Sequence, residues 1–525
     1  MKVLISDKIS PEAIEIFKKN GKIEVDYNPE ISHEDLIKEI GKYSALVIRS
    51  RTKVKADVIE KADNLKVIGR AGIGVDNVDI DAATSKGILV MNTPGGNTVT
   101  TAEHALSMMM SLARKIPFAC ASMKEGKWEK SKFMGVELFN KTLGIIGMGR
   151  IGSIVASRAN GLKMKVIAYD PYLSEESAQK LNVQLVNLDE LLEKSDFITI
   201  HTPLNEATKH IIGREALKKV KKGVRIINCS RGGTVDEDAL LEALNDGRVA
   251  GAALDVFEEE PPKKLDIVKH ENVICTPHLG ASTVEAQSNV AIAIAEQISD
   301  YLLNGTIRNA VNFPSIEPQL AEKTNIFIEL GDKLGSFVSQ IAEGRFKEIN
   351  IEYSGEVTEL NTSPITASIV QGVLKQILKS ANPVNSLLLA KERGIKIAET
   401  TLSEQKVFAN LISVKLTTDK EAYSVAGSVF HQNMLRIVKI GEYFLEAPAA
   451  GTMLVFSNYD KPGVIGRVGT IMGEANINIA GMILGRSAPG KEALSIVNVD
   501  NEIPESVVEK IKQLPNALSV KVVKL

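Results

Sequence analysis

The sequence predicts a multidomain α/β protein in which two doubly wound parallel sheets are followed by two smaller α+β domains. Its 525 residues are several times the usual size of one domain. Short β-branched runs alternate with helical stretches through the first 310 residues, and this rhythm is typical of parallel α/β sheets. Runs such as residues 45–48 are apolar at every position, as strands covered by helices on both faces require.

Each domain has its own series of elements. In the first, a helix follows Pro11, and the predicted strands are residues 2–6, 45–48, 65–68 and 88–91. The second series begins near Thr142, with strands at residues 142–146, 165–169, 197–201, 224–228, 250–256 and 273–276. Near residue 315 this rhythm stops, although amphipathic stretches such as residues 367–378 continue. From Met453 a strand, a turn at 460–463, a helix and another strand predict a compact α+β unit.

Composition and charge exclude several classes of function. The 63 Lys and Arg nearly balance the 65 Asp and Glu, so the chain has no global field for holding a nucleic acid. No apolar run reaches the roughly 18–20 residues of a membrane span, and we expect a cytoplasmic protein without a membrane partner. Three cysteines, Cys120, Cys229 and Cys275, have no C-x-x-C spacing, so we expect no disulfide framework and no metal.

A glycine-rich motif predicts a dinucleotide site. Gly147, Gly149 and Gly152 have G-x-G-x-x-G spacing, follow the apolar strand 142–146 and open a helix. In such a motif the first glycine permits the turn, the second admits the pyrophosphate and the third allows close packing of helix and strand. Asp170 ends the next strand, where a carboxylate binds the adenosine ribose and repels a 2′-phosphate, so NAD is favoured over NADP. A mere strand-to-helix turn is the alternative interpretation of the three glycines.

Three residues at the ends of later strands fit alcohol oxidation. Arg231 follows the strand 224–228, Glu260 follows the strand 250–256, and His278 follows the strand 273–276. An imidazole can shuttle the hydroxyl proton, a nearby carboxylate can stabilise the imidazolium, and a guanidinium suits a substrate carboxylate. Each residue alone equally fits a loop cap, a solvated acidic turn or an ordinary surface histidine.

Four motifs together resemble the D-isomer-specific 2-hydroxyacid dehydrogenase family. They are residues 69–77, 228–233, 254–262 and 277–283. The whole chain is similar to long-form members with intervening and ACT domains. The resemblance implies Rossmann and flavodoxin-like sheets and a ferredoxin-like C-terminal domain. The implied boundaries are 1–98 with 286–312 for the substrate-binding domain, 99–285 for the NAD-binding domain, 316–450 for the intervening domain and 453–525 for the ACT domain.

The resemblance also implies residue roles. His278 is the acid/base, Glu260 its carboxylate partner and Arg231 the substrate anchor. Asp255 is expected to face the nicotinamide amide, and Ile73 departs from the small polar residue that relatives often have. The full set of expected cofactor contacts is Gly147, Gly149, Arg150, Ile151, Gly152, Asp170, Thr202, Cys229, Ser230, Arg231, Asp255, His278, Leu279, Gly280 and Ala281.

The expected substrate is an anionic 2-hydroxy acid. Arg49 and Arg70 have counterparts in the family's substrate pocket, together with Arg231 and His278, and Arg51 is a further candidate that equally fits an ordinary surface base. Lys130 and Lys132 lie in a segment that in relatives reaches across a dimer, and they equally fit ordinary surface bases. We therefore expect a homo-oligomer, either a dimer or a tetramer.

The C-terminal domain is expected to bind a regulator. The resemblance places Asn458, Asp460 and Asn478 around an amino acid, and feedback inhibition by L-serine is a hypothesis. The same residues equally fit a turn and a helix exit. In the intervening domain, Arg436 and Lys439 are weaker candidates for a second anionic effector.

The implied reaction is NAD-dependent oxidation of 3-phospho-D-glycerate to 3-phosphohydroxypyruvate, the first step of L-serine biosynthesis from that acid. One alternative keeps the chemistry but takes glycerate, glyoxylate or lactate. Another is a nonenzymatic, NAD-sensing corepressor on the same fold. The complete set of Arg231, Glu260 and His278, and the lack of a strong basic block, disfavour the corepressor.

Overall fold

A computed structural model describes residues 1–19, 21–314, 316, 318–402, 408–486 and 488–525. Its strands form a five-stranded, a seven-stranded, a six-stranded and a four-stranded sheet. The predicted fold class, two doubly wound parallel sheets followed by α+β and ferredoxin-like domains, is confirmed. The domain boundaries given above stay predictions. Within the described residues, no helix is long and apolar enough to cross a membrane.

The first sheet is parallel, with the order β2-β1-β3-β4-β5 that is typical of flavodoxin-like folds. All four residues of β3 are buried between two helical layers. The elements are β1 (Lys2–Ile5), α1 (Pro11–Lys18), β2 (Glu24–Tyr27), α2 (His33–Glu39), β3 (Ala45–Ile48), α3 (Ala56–Glu60), β4 (Val67–Arg70), α4 (Ile80–Lys86) and β5 (Leu89–Met91). The predicted strand 65–68 lies two residues too early.

The second sheet has the order β12-β11-β10-β9-β6-β7-β8, the Rossmann arrangement in which successive strands are added first on one side of β6 and then, from β9, on the other. Ligands of such sheets bind at the carboxyl ends of the strands near this reversal. The elements are α5 (Thr98–Arg114), α6 (Ile116–Lys124), β6 (Thr142–Ile146), α7 (Arg150–Gly161), β7 (Lys165–Tyr169), α8 (Glu175–Lys180), β8 (Gln184–Leu185), α9 (Leu188–Lys194), β9 (Phe197–Ile200), α10 (Arg214–Lys219), β10 (Val224–Asn228), α11 (Glu237–Asn245), β11 (Val249–Leu254), α12 (Leu265–Val268) and β12 (Val273–Cys275).

The chain passes between these two sheets twice. It leaves the first domain between β5 and α5, and it returns in α13 (Val284–Asn304), which packs against α1 and β4. A Cβ atom on Gly69 of β4 would lie 2.3 Å from Ile298 Cδ1, so this glycine allows α13 to approach the sheet closely. The first domain is therefore built from two separate segments of the chain.

The third sheet has the order β14-β13-β15-β16-β17-β18 and carries α14 and α15 against one face. Among the described strands of this sheet, only the pair β13–β14 is parallel. The elements are α14 (Ala321–Ile341), β13 (Phe346–Gly355), α15 (Ser363–Leu374), α16 (Ser386–Glu392), β14 (Lys396–Leu402), β15 (Asn410–Thr418), β16 (Ala422–Phe430), β17 (Met434–Ile440) and β18 (Tyr443–Pro448).

The fourth sheet is antiparallel in the order β20-β21-β19-β22, a ferredoxin-like arrangement. Its elements are β19 (Thr452–Tyr459), α17 (Val464–Glu474), β20 (Ile479–Arg486), β21 (Glu492–Val499), α18 (Glu505–Lys512) and β22 (Ala517–Lys524). One face carries α17 and α18. On the other face, Met453 and Ile496 share a hydrophobic core with Leu334 of α14, so the third and fourth domains pack as neighbours.

Candidate active site

The three predicted reactive residues lie at one edge of the second sheet. Arg231 follows β10, Glu260 follows β11 and His278 follows β12, and these strands are adjacent and parallel. Because parallel strands end at a common edge, the loops that follow them meet in space. The fold therefore brings together residues that are separated by up to 47 positions, the span from Arg231 to His278.

Glu260 and His278 form the central hydrogen bond of this edge. Nδ1 of His278 lies 2.7 Å from Oε2 of Glu260, while Oε1 of Glu260 accepts the backbone N–H of Phe257 at 3.2 Å. The hydrogen bond with Glu260 raises the pKa of His278, against a smaller opposing effect of burial. For Glu260, burial acts to raise the pKa, but the hydrogen bond and charge of His278 lower it overall. Each member of the pair therefore stabilises the charged form of the other.

The loop that carries His278 is anchored on Asp255. His278 has a φ of 55°, which is uncommon for a residue with a Cβ. The backbone N–H of His278 donates to the backbone oxygen of Asp255 at 2.9 Å, and those of Leu279 and Gly280 donate to its carboxylate at 2.7 and 2.8 Å. Asp255 is fully buried, and the predicted contact of its side chain with the nicotinamide amide stays a prediction.

Arg231 faces a glycine-rich loop of the first domain. Its Nε lies 3.7 Å from Oδ2 of Asp76, and a Cβ on Gly74 would lie 2.3 Å from its Nη2. Arg70, at the end of β4, donates a hydrogen bond to the backbone oxygen of Gly74. Burial lowers the pKa of Arg70, and its Nε has no hydrogen-bond partner. Two guanidinium groups from different domains therefore converge on one cleft.

Arg49 and Arg51 differ in how firmly the protein holds them. Arg49 uses Nη1 to donate to the backbone oxygen of Lys8 at 3.2 Å. Arg51 donates Nε to the Asp7 carboxylate at 3.1 Å and Nη2 to the backbone oxygen of Ser6 at 2.5 Å, with a longer bond from Nη1 to Ile31. All three nitrogens of Arg51 are thus engaged, which gives this residue a structural role.

The glycines of the nucleotide motif occupy three different environments. Gly147 has a φ of 92°, and Gly152 packs so closely that a Cβ there would lie 2.1 Å from the backbone oxygen of Gly147. A Cβ on Gly149 would meet no atom within 4 Å, so open space lies in front of the α7 N-terminus. Asp170, at the end of β7, accepts the N–H groups of Met148 at 2.7 Å and Tyr172 at 2.8 Å.

These features fit a bound dinucleotide. The N-terminus of α7 presents backbone N–H groups to the open space beside Gly149, as an anion requires. Thr202 Oγ1, at the end of β9, is buried with no protein partner. Cys229 is buried, and this burial raises the pKa of its thiol well above the ordinary value. The residues present therefore suit NAD, with Thr202 as a free hydroxyl along the cleft.

A polar contact links the nucleotide loop to the passage between domains. Arg150 Nη1 donates to the backbone oxygen of Pro94 at 2.7 Å, and the adjacent Gly95 has a φ of 114°. The hydroxyl groups of Thr100, on the outgoing passage in α5, and Thr283, on the returning passage just before α13, lie 3.5 Å apart. The first residue of α7 thus contacts the connection along which the two domains meet.

The structure does not bring the three predicted effector residues together within one chain. Asn458 pairs with Ala493 on β21, whereas β20 begins at Ile479, which pairs with Val499. Asn478 therefore lies about 20 Å along the sheet from Asn458, at about 3.3 Å per residue. Asn458 Oδ1 is buried and unpartnered, while Asn478 donates to the Asp500 carboxylate at 2.6 Å. Asp460, next to Asn458, pairs with Arg486 at 3.3 Å.

The two basic candidates of the third domain face different neighbours. Arg436 Nε is 3.9 Å from the Glu446 carboxylate and has no hydrogen-bond partner. Lys439 Nζ lies 5.1 Å from the centre of the Phe444 ring. Their binding of an anionic effector stays a prediction.

Sequence reasoning missed His104 and Thr276. Nε2 of His104, on α5, lies 3.2 Å from both the Asp255 carboxylate and the Thr276 hydroxyl, and Thr276 donates to Asp255 at 2.6 Å. His104 is 151 positions before Asp255, so no local pattern could connect them. The available signal was a histidine close to the mostly apolar buried face of a helix.

Comparison with known families gives matches in three parts of the chain. Residues 106–280 match the NAD binding domain of D-isomer specific 2-hydroxyacid dehydrogenases, residues 323–441 match the D-3-phosphoglycerate dehydrogenase intervening domain, and residues 452–516 match the ACT domain.

Similar proteins cover the whole chain. D-3-phosphoglycerate dehydrogenase from Archaeoglobus fulgidus is 46% identical over 100% of both chains, and that from Bacillus subtilis is 42% identical over 100% of this chain and 99% of its own. Among solved structures, the TT0316 protein of Thermus thermophilus is similar with a TM-score of 0.55 and 32% identity, covering 59% of this chain and 100% of its own. Aquifex aeolicus D-lactate dehydrogenase, complexed with NAD and lactic acid, has a TM-score of 0.52 and 27% identity, covering 60% and 100%.

Proposed function

This chain belongs to the D-3-phosphoglycerate dehydrogenase family, and from that membership we propose that it oxidises 3-phospho-D-glycerate to 3-phosphohydroxypyruvate with NAD. The reaction supplies the carbon skeleton of L-serine. The observation that carries the proposal is the 2.7 Å contact between His278 and Glu260 in a cleft that also holds Arg231. A proton acceptor, its carboxylate partner and an anion-binding guanidinium are the groups that oxidation of a 2-hydroxy acid requires.

The proton path follows from the hydrogen bond that His278 already makes. Because Nδ1 is engaged by Glu260, Nε2 is the atom that accepts the proton of the substrate hydroxyl. The negative Glu260 stabilises the imidazolium that results, and it holds the ring in one orientation. Bound NAD would accept the hydride that leaves C2 of the substrate.

Three arginines account for the two anionic groups of the substrate. Arg231 binds the carboxylate at the reacting end, where its planar fork matches two oxygens. Arg49 and Arg70 lie at the ends of β3 and β4 and contact the phosphate from the first domain. The unpartnered Nε of Arg70 is a free donor for that purpose. Oxidation therefore takes place between the two domains.

The test of the acid/base role is the variant His278→Ala. NADH formation, followed by absorbance, should fall at least about 1000-fold, while NADH affinity measured by fluorescence stays within about threefold of the parent. His33→Ala is the matched control, since His33 pairs with Asp57 at 2.6 Å on the surface of the first domain. Unchanged turnover in His278→Ala would overturn the assignment.

The substrate is tested by comparing phosphorylated and unphosphorylated acids. The parent should prefer 3-phospho-D-glycerate to glycerate and lactate in kcat/KM, and Arg70→Ala should lose most of that preference by raising KM. Arg248→Ala is the control, because Arg248 pairs with Asp246 away from the cleft. A parent that prefers glycerate or lactate, or a preference for the phosphorylated acid that is unchanged in Arg70→Ala, would refute the assignment.

We extend the proposal to a homodimer built on the second domain. Four large apolar side chains, Ile116, Met123, Trp128 and Met134, are more than half exposed in one segment. Lys130 and Lys132 lie within this segment, where a second copy would carry them toward its partner's cleft. Sedimentation of the parent and of Trp128→Asp should show a dimer or tetramer for the first and a smaller particle for the second.

We also propose L-serine as a feedback inhibitor that binds between two C-terminal domains. Since Asn458 and Asn478 lie at opposite ends of one sheet, both can contact a single amino acid only if two copies bring these ends together. Calorimetry with L-serine should give heat for the parent and none for Asn478→Ala, with D-serine as the control ligand. Absence of heat and of inhibition at millimolar L-serine in the parent would refute this regulation.

A further inference from the structure

Several hydrogen bonds hold the loop that carries His278, and three of them end on one residue, Asp255. Three successive N–H groups, those of His278, Leu279 and Gly280, donate to the backbone or side chain of Asp255. His278 keeps a left-handed backbone there, and such a conformation persists only where its surroundings define it. The backbone position of His278 therefore depends in part on Asp255, whose carboxylate holds the two residues that follow.

Two residues of α5 hold this arrangement from the opposite side. Thr101 Oγ1 donates to the backbone oxygen of Gly280 at 3.0 Å. One turn later, His104 Nε2 lies 3.2 Å from both Asp255 Oδ1 and Thr276 Oγ1. The Thr276 hydroxyl already donates to Asp255 at 2.6 Å, and a carboxylate only accepts, so His104 Nε2 must be the donor in both contacts.

We propose that His104 is a positioning residue for the reaction: its Nε2–H holds the Asp255 carboxylate, and through Asp255 it orients the loop that presents His278 to the substrate. The inference rests on the proposed function, since it assigns His104 a task in that reaction that it performs through Asp255. It adds α5, the helix that begins at the passage between the domains, to the parts that define the reacting geometry.

The donor set of this cluster does not favour a metal ion. His104, Cys229 and Asp255 offer ligand atoms within 4.8 Å of one another. Both Asp255 oxygens, however, are occupied by N–H and O–H donors, and burial keeps the Cys229 thiol protonated by raising its pKa. The cluster is consequently assigned as a hydrogen-bond network.

The charged groups around His278 determine how its pKa changes when the loop is displaced. Glu260 raises the pKa through its hydrogen bond and its charge, Asp255 raises it through its charge, and Arg231 lowers it. His104 approaches from α5 behind Asp255. If the loop is displaced, the contact with Glu260 weakens and the pKa of His278 falls. If His104 instead only weakened the effect of the Asp255 charge on His278, removal of His104 would raise the pKa of His278.

The experiment compares His104→Leu, which removes the donor, with His104→Gln, whose amide N–H can occupy the position of Nε2. Met109→Leu, a buried change on the same helix, is the matched control. We expect kcat of His104→Leu to fall about 10- to 100-fold with KM within about threefold. His104→Gln should recover kcat to within about threefold of the parent, and Met109→Leu should equal the parent. Thermal unfolding of each variant verifies that it is folded.

The pH dependence separates positioning from other roles. The acid limb of the kcat/KM profile should move to lower pH in His104→Leu and return in His104→Gln. A limb that moves upward, a limb that does not move, or an equal loss of kcat in both variants would overturn the proposal.

A second readout does not depend on turnover. Carbon NMR of the histidine rings, with the His278 signal identified by its loss in His278→Asn, should show a lower His278 pKa in His104→Leu than in the parent. If the parent made no NADH from any 2-hydroxy acid, the proposed function would fail. The NMR titration would still confirm the positioning role, or refute it if the His278 pKa stayed the same.

Discussion

Two alanine substitutions in the glycine-rich motif should separate cofactor binding from folding. Gly149 faces open space, with no atom within 4 Å of an added Cβ, whereas a Cβ on Gly152 would lie 2.1 Å from the backbone oxygen of Gly147. Both residues belong to the same turn between β6 and α7. Gly149→Ala should therefore fold normally and lose NADH affinity, and Gly152→Ala should lose stability.

The magnitudes follow from these distances. Overpacking against backbone costs up to about 3 kcal/mol, and the higher helix propensity of alanine returns about 1 kcal/mol, so Gly152→Ala should be destabilised by about 2 kcal/mol. For a domain of this size that lowers Tm by roughly 4–8 °C. Gly149→Ala should change stability by less than about 0.5 kcal/mol. Its methyl group stands where the pyrophosphate approaches, so the Kd for NADH should rise at least about tenfold.

The assays are thermal unfolding without cofactor and titration of NADH by fluorescence. Gly161→Ala is the control, because it lies at the far end of α7 with no atom within 4 Å of an added Cβ. Parent-like NADH affinity in Gly149→Ala would refute the placement of the pyrophosphate beside this residue. A parent-like Tm in Gly152→Ala would refute the close packing of helix and strand.

Three further changes have expected outcomes. Glu260→Gln removes the hydrogen-bonded charge that raises the pKa of His278, so the acid limb of the kcat/KM profile should move to lower pH and kcat should fall about 10- to 100-fold; an unmoved limb would contradict the pairing. Arg51→Ala should lower the free energy of unfolding by about 1–3 kcal/mol, through lost bonds to Asp7 and backbone oxygens, with the substrate KM unchanged; a raised KM would place Arg51 in the substrate pocket. Burial lowers the pKa of His201 to about 4, below the ordinary 6.5, so its stabilising effect is complete above pH 6.5 and is lost as the pH falls toward 4. The free energy of unfolding, measured with denaturant, should decrease between pH 7.5 and pH 5 by about 2 kcal/mol more in the parent than in His201→Gln. Equal decreases would refute the pKa shift.

Local sequence patterns predicted those elements whose defining residues are close together in the chain. The motif at Gly147 was recognisable because a turn, a strand and a helix N-terminus lie within a few residues. Strands with continuous apolar runs were likewise predicted close to their positions, β3 and β7 at their observed bounds. In contrast, the sequence analysis missed β2 and β8, because these edge strands are partly exposed and contain polar residues.

Features that depend on tertiary contacts were not predictable. Arg49 and Arg51 are two residues apart and chemically identical, yet acceptors that are distant in the sequence, such as Asp7 at 44 residues, make Arg51 structural. The separation of Asn458 from Asn478 follows from the register of β20 on β21, which no motif encodes. His104 could not be connected with Asp255 before α5 was placed against the end of β11.

The divided first domain imposes an order on biosynthesis. β5 ends at Met91 and α13 begins at Val284, so about 190 residues leave the ribosome between the two parts of that domain. Until α13 emerges, the apolar side of the nascent sheet that α1 and α13 share is covered by α1 alone, whereas the Rossmann domain encoded between the two segments is already complete. The Rossmann domain should therefore reach its native state before the first domain does. A chaperone that recognises exposed apolar strands would bind the unfinished first domain.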